Sequence, residues 1–271
     1  MPQPMWTGPA VAAVTLFDDE GRLLAAETGT HAAGLVERGI KAVVVAGSTG
    51  EAAALSDAER VELVAAVKEA CPGVPVLCGS SGEWHGQAVT RTEAVVKAGA
   101  DAVLVAPPRL GGDVAEYYRR VADAAGGVPV LAYHYPGVAG GPVPLDLLAS
   151  LPVQGVKDSS GQPVRLAAEL DLDWAGAVYV GASALTGYAS WLGATGAILA
   201  VANVVPELCI SAWAGDADAQ RQVIRTEAGY KAGRGGANAP RGHGGGPGPL
   251  PPKRGARVPA RRRPPGPGVG G

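Results

Sequence analysis

The chain is predicted to fold as one (β/α)8 barrel, a TIM barrel, and three observations carry that prediction. A helical stretch repeatedly ends at glycine, and a short Val/Ala/Leu-rich run follows within about three residues. Glycine suits the left-handed position just past a helix, so each junction marks a helix giving way to a strand. The runs are continuously apolar rather than alternating, as strands buried on both faces are. They end near Phe17, Gly47, Gly79, Ala106, Tyr133, Lys157, Gly181 and Val201, eight strands at intervals of 20 to 32 residues. That count closes a barrel through right-handed crossovers. A doubly wound open sheet is the alternative, but the repeat neither reverses nor shows a GxGxxG turn.

Taken in order, the clearest junctions are Gly39 before Ala42-Val-Val-Val-Ala46, Gly99 before Ala102-Val-Leu-Val-Ala106, and Gly127 before Val128-Pro-Val-Leu-Ala132. Pro72-Gly73 before Val74-Pro-Val-Leu-Cys78 and Gly193 before Ala197-Ile-Leu-Ala-Val201 follow the same rule less tightly. Between strands, the segment Ser56 to Ala70 reads as a surface helix. Ser56 and Glu59 have capping-box spacing, and Leu63, Val64 and Val67 form one apolar face. The barrel is placed at residues 1–215, the start of a C-terminal helical region at 216–230, and a basic tail at 231–271.

With 271 residues, 47% of them apolar and 18% charged, the chain is long enough for one large soluble domain. Met1 to Phe17 has no basic stretch ahead of its apolar residues, and no run of about 18 apolar residues follows. The expectation is a cytoplasmic protein with no membrane association. Three cysteines, Cys71, Cys78 and Cys209, are never spaced as CxxC, and four histidines are scattered, which argues for reduced thiols and against a metal site. The last 41 residues hold nine of the 23 Lys and Arg, none of the 25 Asp and Glu, and 13 Gly and nine Pro. Such text cannot form a core. It matches what a GC-rich gene yields in a shifted frame, which places a frameshift near residue 226. The alternative is a genuine basic arm, the one part of the chain that would attract nucleic acid.

Reactive groups of such barrels gather at the C-terminal ends of the strands. Three features stand out there: Lys157 after Val153-Gln-Gly-Val156, Tyr133 after Val130-Leu-Ala132, and Gly47-Ser-Thr-Gly-Glu51 after Val43-Val-Val-Ala46. A lysine at the inner end of a buried strand is desolvated, which lowers its pKa and leaves neutral amine to attack a carbonyl. The plainer alternative pairs Lys157 with Asp158 or another rim carboxylate. Tyr133 is either a proton relay beside that amine or a packed ring. The small residues and hydroxyls of 47–51 suit either a carboxylate held by backbone N–H groups or an ordinary turn whose Ser48 and Thr49 cap a helix. Asp18-Asp-Glu20 reads as a solvated loop, and His31 and His85 as surface residues on helices.

Together these segments resemble the dihydrodipicolinate synthase and N-acetylneuraminate lyase family of class I aldolases, from about Ala10 to Ala214. Gly47-Ser-Thr-Gly-Glu51 is similar to the family's GTTGE or GSTGE turn, and Tyr133-His-Tyr-Pro136 to Y-N-x-P. Gly155-Val-Lys-Asp-Ser-Ser-Gly161 is similar to the segment around the imine lysine. Gly181-Ala-Ser-Ala184 through Gly193 to Asn203 resembles the last two strands. The resemblance implies Lys157 as the covalent residue, Tyr133 and Ser48 as proton relays, and Gly47, Ser48, Thr49, Gly181 and Ala182 around a 2-oxo acid. It also implies no cofactor and a homodimer or homotetramer. Members making dihydrodipicolinate usually carry an arginine where this chain has Val138, and paired tyrosines where it has Pro107-Pro-Arg109-Leu110. His134 replaces the usual Asn, and Leu16 the usual Pro. Arg109 is the candidate for a second carboxylate, and several single residues lie nearer to 4-hydroxy-2-oxoglutarate aldolases. The expected reaction is therefore aldol cleavage of a 4-hydroxy-2-oxo acid. Condensation of pyruvate with aspartate semialdehyde is the alternative, and a barrel that binds a 2-oxo acid without efficient chemistry is the reading from another class.

Overall fold

The computed structural model describes residues 4–232. Eight parallel strands close into one barrel in sequence order, with the eighth bonded to the first. They are β1 Gly8–Ala12, β2 Val43–Val45, β3 Val76–Gly79, β4 Ala102–Val105, β5 Val130–His134, β6 Gly155–Asp158, β7 Ala177–Val180 and β8 Gly196–Leu199. The helices are α1 Ala25–Glu37, α2 Asp57–Ala70, α3 His85–Lys97, α4 Val114–Ala125, α5 Leu145–Leu148, α6 Pro163–Leu170, α7 Thr186–Trp191, α8 Pro206–Trp213 and α9 Ala217–Ala232. No described helix is long and apolar enough to cross a membrane.

Alternation along each strand divides the buried side chains into two cores. Outward residues such as Val43, Val45, Val103, Val105 and Val156 pack under the helices. Inward residues fill the barrel, where the small Ala10, Ala12, Ala42 and Ala102 face the larger Leu77, Leu104, Leu131, Tyr133, Tyr179 and Ile198. Close interdigitation of this kind leaves a packed interior rather than a pore. Trp6, just before β1, stacks on Tyr179 with ring centroids 4.3 Å apart and accepts its hydroxyl through a backbone carbonyl at 3.3 Å. The barrel is thereby plugged at its N-terminal end.

The junction glycines Gly39, Gly73, Gly99, Gly127 and Gly193 all take positive φ, as a left-handed helix exit requires. Ser56 caps α2 in a complete capping box, and Leu63, Val64 and Val67 are fully buried. All three cysteines are free and buried. The acidic loop is solvated, with Asp18 bound to Arg22 at 2.6 Å.

Two expectations change. β1 ends at Ala12, not near Phe17. Beyond Ala13 the ladder is replaced by a side chain, because Val14 N–H donates to Asn203 Oδ1 at 3.1 Å, and Phe17 instead bridges Leu23 in antiparallel fashion. His31 is not a plain surface residue, since its Nε2 lies 3.1 Å from the same Asn203 oxygen. The basic tail lies outside the described residues, apart from 231 and 232, which continue α9, and the frameshift position near residue 226 falls within that helix.

Candidate active site

Register places the site. In the β5–β6 ladder Tyr133 stands opposite Lys157, and in the β6–β7 ladder Lys157 stands opposite Tyr179, so all three side chains enter the barrel. Lys157 is 4% exposed, and burial alone pushes its amine down from 10.5 to about 7. Among the described residues no carboxylate makes an ion pair with it. Asp158, the partner suggested by the plainer reading, points to the opposite face and accepts from the N–H and hydroxyl of Ser160 at 2.8 and 3.0 Å. The amine instead lies 4.5 Å from the centre of the Tyr133 ring. Near neutral pH a large share of it is therefore unprotonated, the form that attacks a carbonyl.

Room for the lysine stem comes from Gly181. A Cβ there would collide with the Ser159 hydroxyl and come within 2.9 Å of Lys157 Cε. The Tyr133 hydroxyl lies 3.5 Å from Ser48 Oγ, with the Ser159 hydroxyl nearby. Burial raises its pKa while these two hydroxyls oppose the shift. The phenol is thus protonated at rest and sits between the amine and the 47–51 turn.

That turn is strained. Ala46 and Glu51 have φ of 50° and 57°, a left-handed region that costs non-glycine residues of order 1–3 kcal/mol each. Surrounding contacts hold it in place. Thr15 Oγ1 donates to Gly50 O at 2.7 Å, and Arg60 of α2 donates to Gly79 O at 3.0 Å and to Ala52 O. The turn closes on itself through Glu51 N–H to Ser48 O and Ala52 N–H to Gly47 O. No acceptor among the described residues serves the N–H of Ser48 or Thr49. Oriented N–H groups without acceptors suit a carboxylate.

Lys157, Tyr133, Ser48, Thr49, Gly181 and Ala182 line one cavity of about 260 Å³ at the C-terminal mouth of the barrel. The structure does not bring Gly47 or Arg109 to it. Both line a neighbouring cavity of about 540 Å³, which meets the first at Ser48 and Tyr133. The Arg109 guanidinium donates to Gly137 O at 3.2 Å and Val138 O at 3.1 Å, so it clamps the loop after β5. Tyr117 and Tyr118 of α4 take no part either, since their hydroxyls donate to Gly82 O and Val105 O. Sequence reasoning missed Tyr135, Ser159, Ser160 and Glu227 in the Lys157 cavity. The first three fall inside the motifs around Tyr133 and Lys157, and alternation points to Tyr135 and Ser159, whereas nothing local signals Glu227.

Comparison with known proteins shows the family and the fold. The model of the dihydrodipicolinate synthetase family matches residues 5–225. A DapA-like lyase of Halobacterium salinarum is 35% identical over 221 residues, covering 78% of this chain and 72% of that protein. The 4-hydroxy-tetrahydrodipicolinate synthase of Pseudomonas aeruginosa is 32% identical, with coverage of 81% and 80%. Among solved structures, a prophage protein of the same family from E. coli K12 in complex with pyruvate superposes with a TM-score of 0.78 at 22% identity, covering 84% of each chain. Dihydrodipicolinate synthase from Acinetobacter baumannii, complexed with pyruvate, gives 0.72 at 28% identity, with coverage of 82% and 81%.

Proposed function

Since the chain belongs to the dihydrodipicolinate synthetase family, whose members are lyases and synthases, we propose that it cleaves a 4-hydroxy-2-oxo acid to pyruvate and an aldehyde through an imine on Lys157. The observation that carries this reading is the amine itself: buried, unpaired, brought to about 7, and open to a cavity. Nζ adds to the C2 carbonyl of the substrate and water leaves, forming the imine. The substrate carboxylate is held by the Ser48 and Thr49 N–H groups and hydroxyls. Tyr133, once its proton has passed to the departing water, accepts the proton of the C4 hydroxyl. The C3–C4 bond then breaks, the aldehyde leaves, and the electron pair stays as an enamine. Protonation at C3 and hydrolysis of the imine release pyruvate and restore the lysine.

The reverse preference, condensation of pyruvate with aspartate semialdehyde, is favoured by the names of relatives such as the Pseudomonas aeruginosa enzyme. It needs a cation for the semialdehyde's carboxylate. Val138 supplies none, and Arg109 is committed to backbone carbonyls. Borohydride reduction in the presence of pyruvate should leave an adduct on Lys157, and kcat/KM should be higher for cleavage than for condensation. A lack of adduct would remove the imine; a higher value for condensation would reverse the direction.

A further inference from the structure

The floor beneath Lys157 is made by residues that take no part in the chemistry above. Alternation sets the inward side chains in layers. Gly181 stands level with the lysine stem, since a Cβ there would come within 2.9 Å of Lys157 Cε. Tyr179, two residues earlier on β7, therefore fills the layer below. It is fully buried and belongs to the inner core with Trp6, Leu131 and Ile198. A neighbouring strand gives up its side chain to make room. Gly196 stands opposite Tyr179 in the β7–β8 ladder, and a Cβ there would press on the ring at 3.1 Å.

Trp6 closes the next layer down. Its indole stacks on the Tyr179 ring at 4.3 Å with 21° between the planes, and its carbonyl accepts the Tyr179 hydroxyl at 3.3 Å. Trp6 Nε1 is buried and meets no acceptor among the described residues. An unmet buried donor weakens a fold, so the flat ring rather than the N–H accounts for the indole. Gly196, and Gly155 on β6, have no side chain to move into the space, so loss of the Tyr179 ring leaves a void at the base of the barrel. The Trp6 carbonyl, released from its hydroxyl, would give water a partner there.

We propose that Tyr179, braced by Trp6, is a positioning residue for the imine chemistry: the stacked pair seals the barrel at its N-terminal end, keeps water from the Lys157 amine and leaves that amine open to the cavity alone. This role rests on the imine reading above. Among the described residues, the titratable groups that face Lys157 are Tyr133, with its ring centre 4.5 Å from the amine, Tyr179 beneath, and Tyr135 and Glu227 in the same cavity. Burial holds the phenols of Tyr133 and Tyr179 in the protonated form. Desolvation brings the amine to about 7, and a sealed floor is what maintains it.

The test is the pH dependence of adduct formation with pyruvate, read by mass after a borohydride quench. In the unchanged protein the rate should level off above about 7. Tyr179→Ala should move that midpoint up by about one pH unit, so the rate near neutrality falls about tenfold while the high-pH plateau is kept. Trp6→Ala should move it the same way by less, and Tyr179→Phe, which keeps the ring, should leave it in place. A merely structural loss would lower the rate by one factor at every pH. A midpoint unmoved in Tyr179→Ala, or moved as far by Tyr179→Phe, would overturn the proposal while leaving the imine standing. If Tyr179→Ala does not fold, Trp6→Ala decides; if neither folds, the pair is core packing and the proposal falls. Absence of any adduct in the unchanged protein would sink the imine reading and this role together.

Discussion

Two faces of the same pair of strands handle buried charge in opposite ways. Tyr133 and Lys157 enter the barrel, while their chain neighbours His134 and Asp158, also opposite one another in the ladder, point out under the helices. All four are at most 5% exposed. On the outer face the buried groups are given polar partners. Asp158 accepts two hydrogen bonds from Ser160, and Arg165 lies 2.9 Å from Glu169 and donates to Val143 O at 3.0 Å. On the inner face the single amine has no such partner, and desolvation tips it toward the neutral form. Burial with partners yields structure, and burial without them yields a nucleophile.

The largest break in that comparison is Lys157→Ala. Turnover and borohydride trapping should vanish, while the fold should hold or gain stability, since the change removes a buried group that resists charging. Retained turnover would end the imine proposal. The pH dependence sharpens the point. Trapping of pyruvate should rise with pH and level off above about 7 rather than climb toward 10.

The outer face should respond in stability instead of chemistry. Arg165→Ala would remove the guanidinium beside Glu169 and leave the Val143 carbonyl without its donor, at a cost of about 1–3 kcal/mol in denaturant unfolding. A loss below 1 kcal/mol would show that water already screens the cluster. Glu169 is fully buried, and its contact with Arg165 is close but poorly aligned for a hydrogen bond. Desolvation first, and Asp158 second, raise its carboxyl to about 8. Between its unfolded value of about 4.3 and about 8 the folded state holds a proton that the unfolded state lacks, so Glu169 makes stability fall as pH rises through that window. Lys157 has the opposite sign. From about 7 to its unfolded value the folded state binds fewer protons, and stability rises with pH. Glu169→Gln should flatten the first slope, and Lys157→Ala the second.

Tyr133→Phe should leave pyruvate trapping possible and lower turnover by roughly 100-fold, the usual worth of a positioned proton-transfer group. Unchanged turnover would reduce the ring to packing against the amine.

The barrel was legible because its strands are buried on both faces and its helix exits need glycine, two constraints that composition records locally. Lys157 and Tyr133 were legible for a related reason: each polar group interrupts an apolar run at a strand end, where packing gives it no cause to be. Arg109 misled because a cation after β4 has the reach for several targets, and only the path of the loop after β5 shows its guanidinium on Gly137 and Val138 carbonyls. Glu227 was out of reach for the same reason. Its place at the cavity depends on how α9 crosses the barrel mouth, a long-range matter that no local pattern encodes.

The smallest expected effect concerns His134, which stands where the family usually has Asn. Its Nδ1 accepts the buried Val143 N–H at 3.1 Å, and burial, then Arg165, hold its pKa down at about 4, so the ring is neutral at physiological pH. The role is that of an acceptor, not of a charge. An asparagine oxygen can accept the same N–H from the same side of the strand, so His134→Asn should change stability by less than about 1 kcal/mol. His134→Ala leaves the N–H unpaired and should cost about 1–3 kcal/mol. Denaturant midpoints of the two variants decide the matter. An equal loss in both would mean that the ring's bulk, rather than its acceptor nitrogen, supports the strand that carries Tyr133.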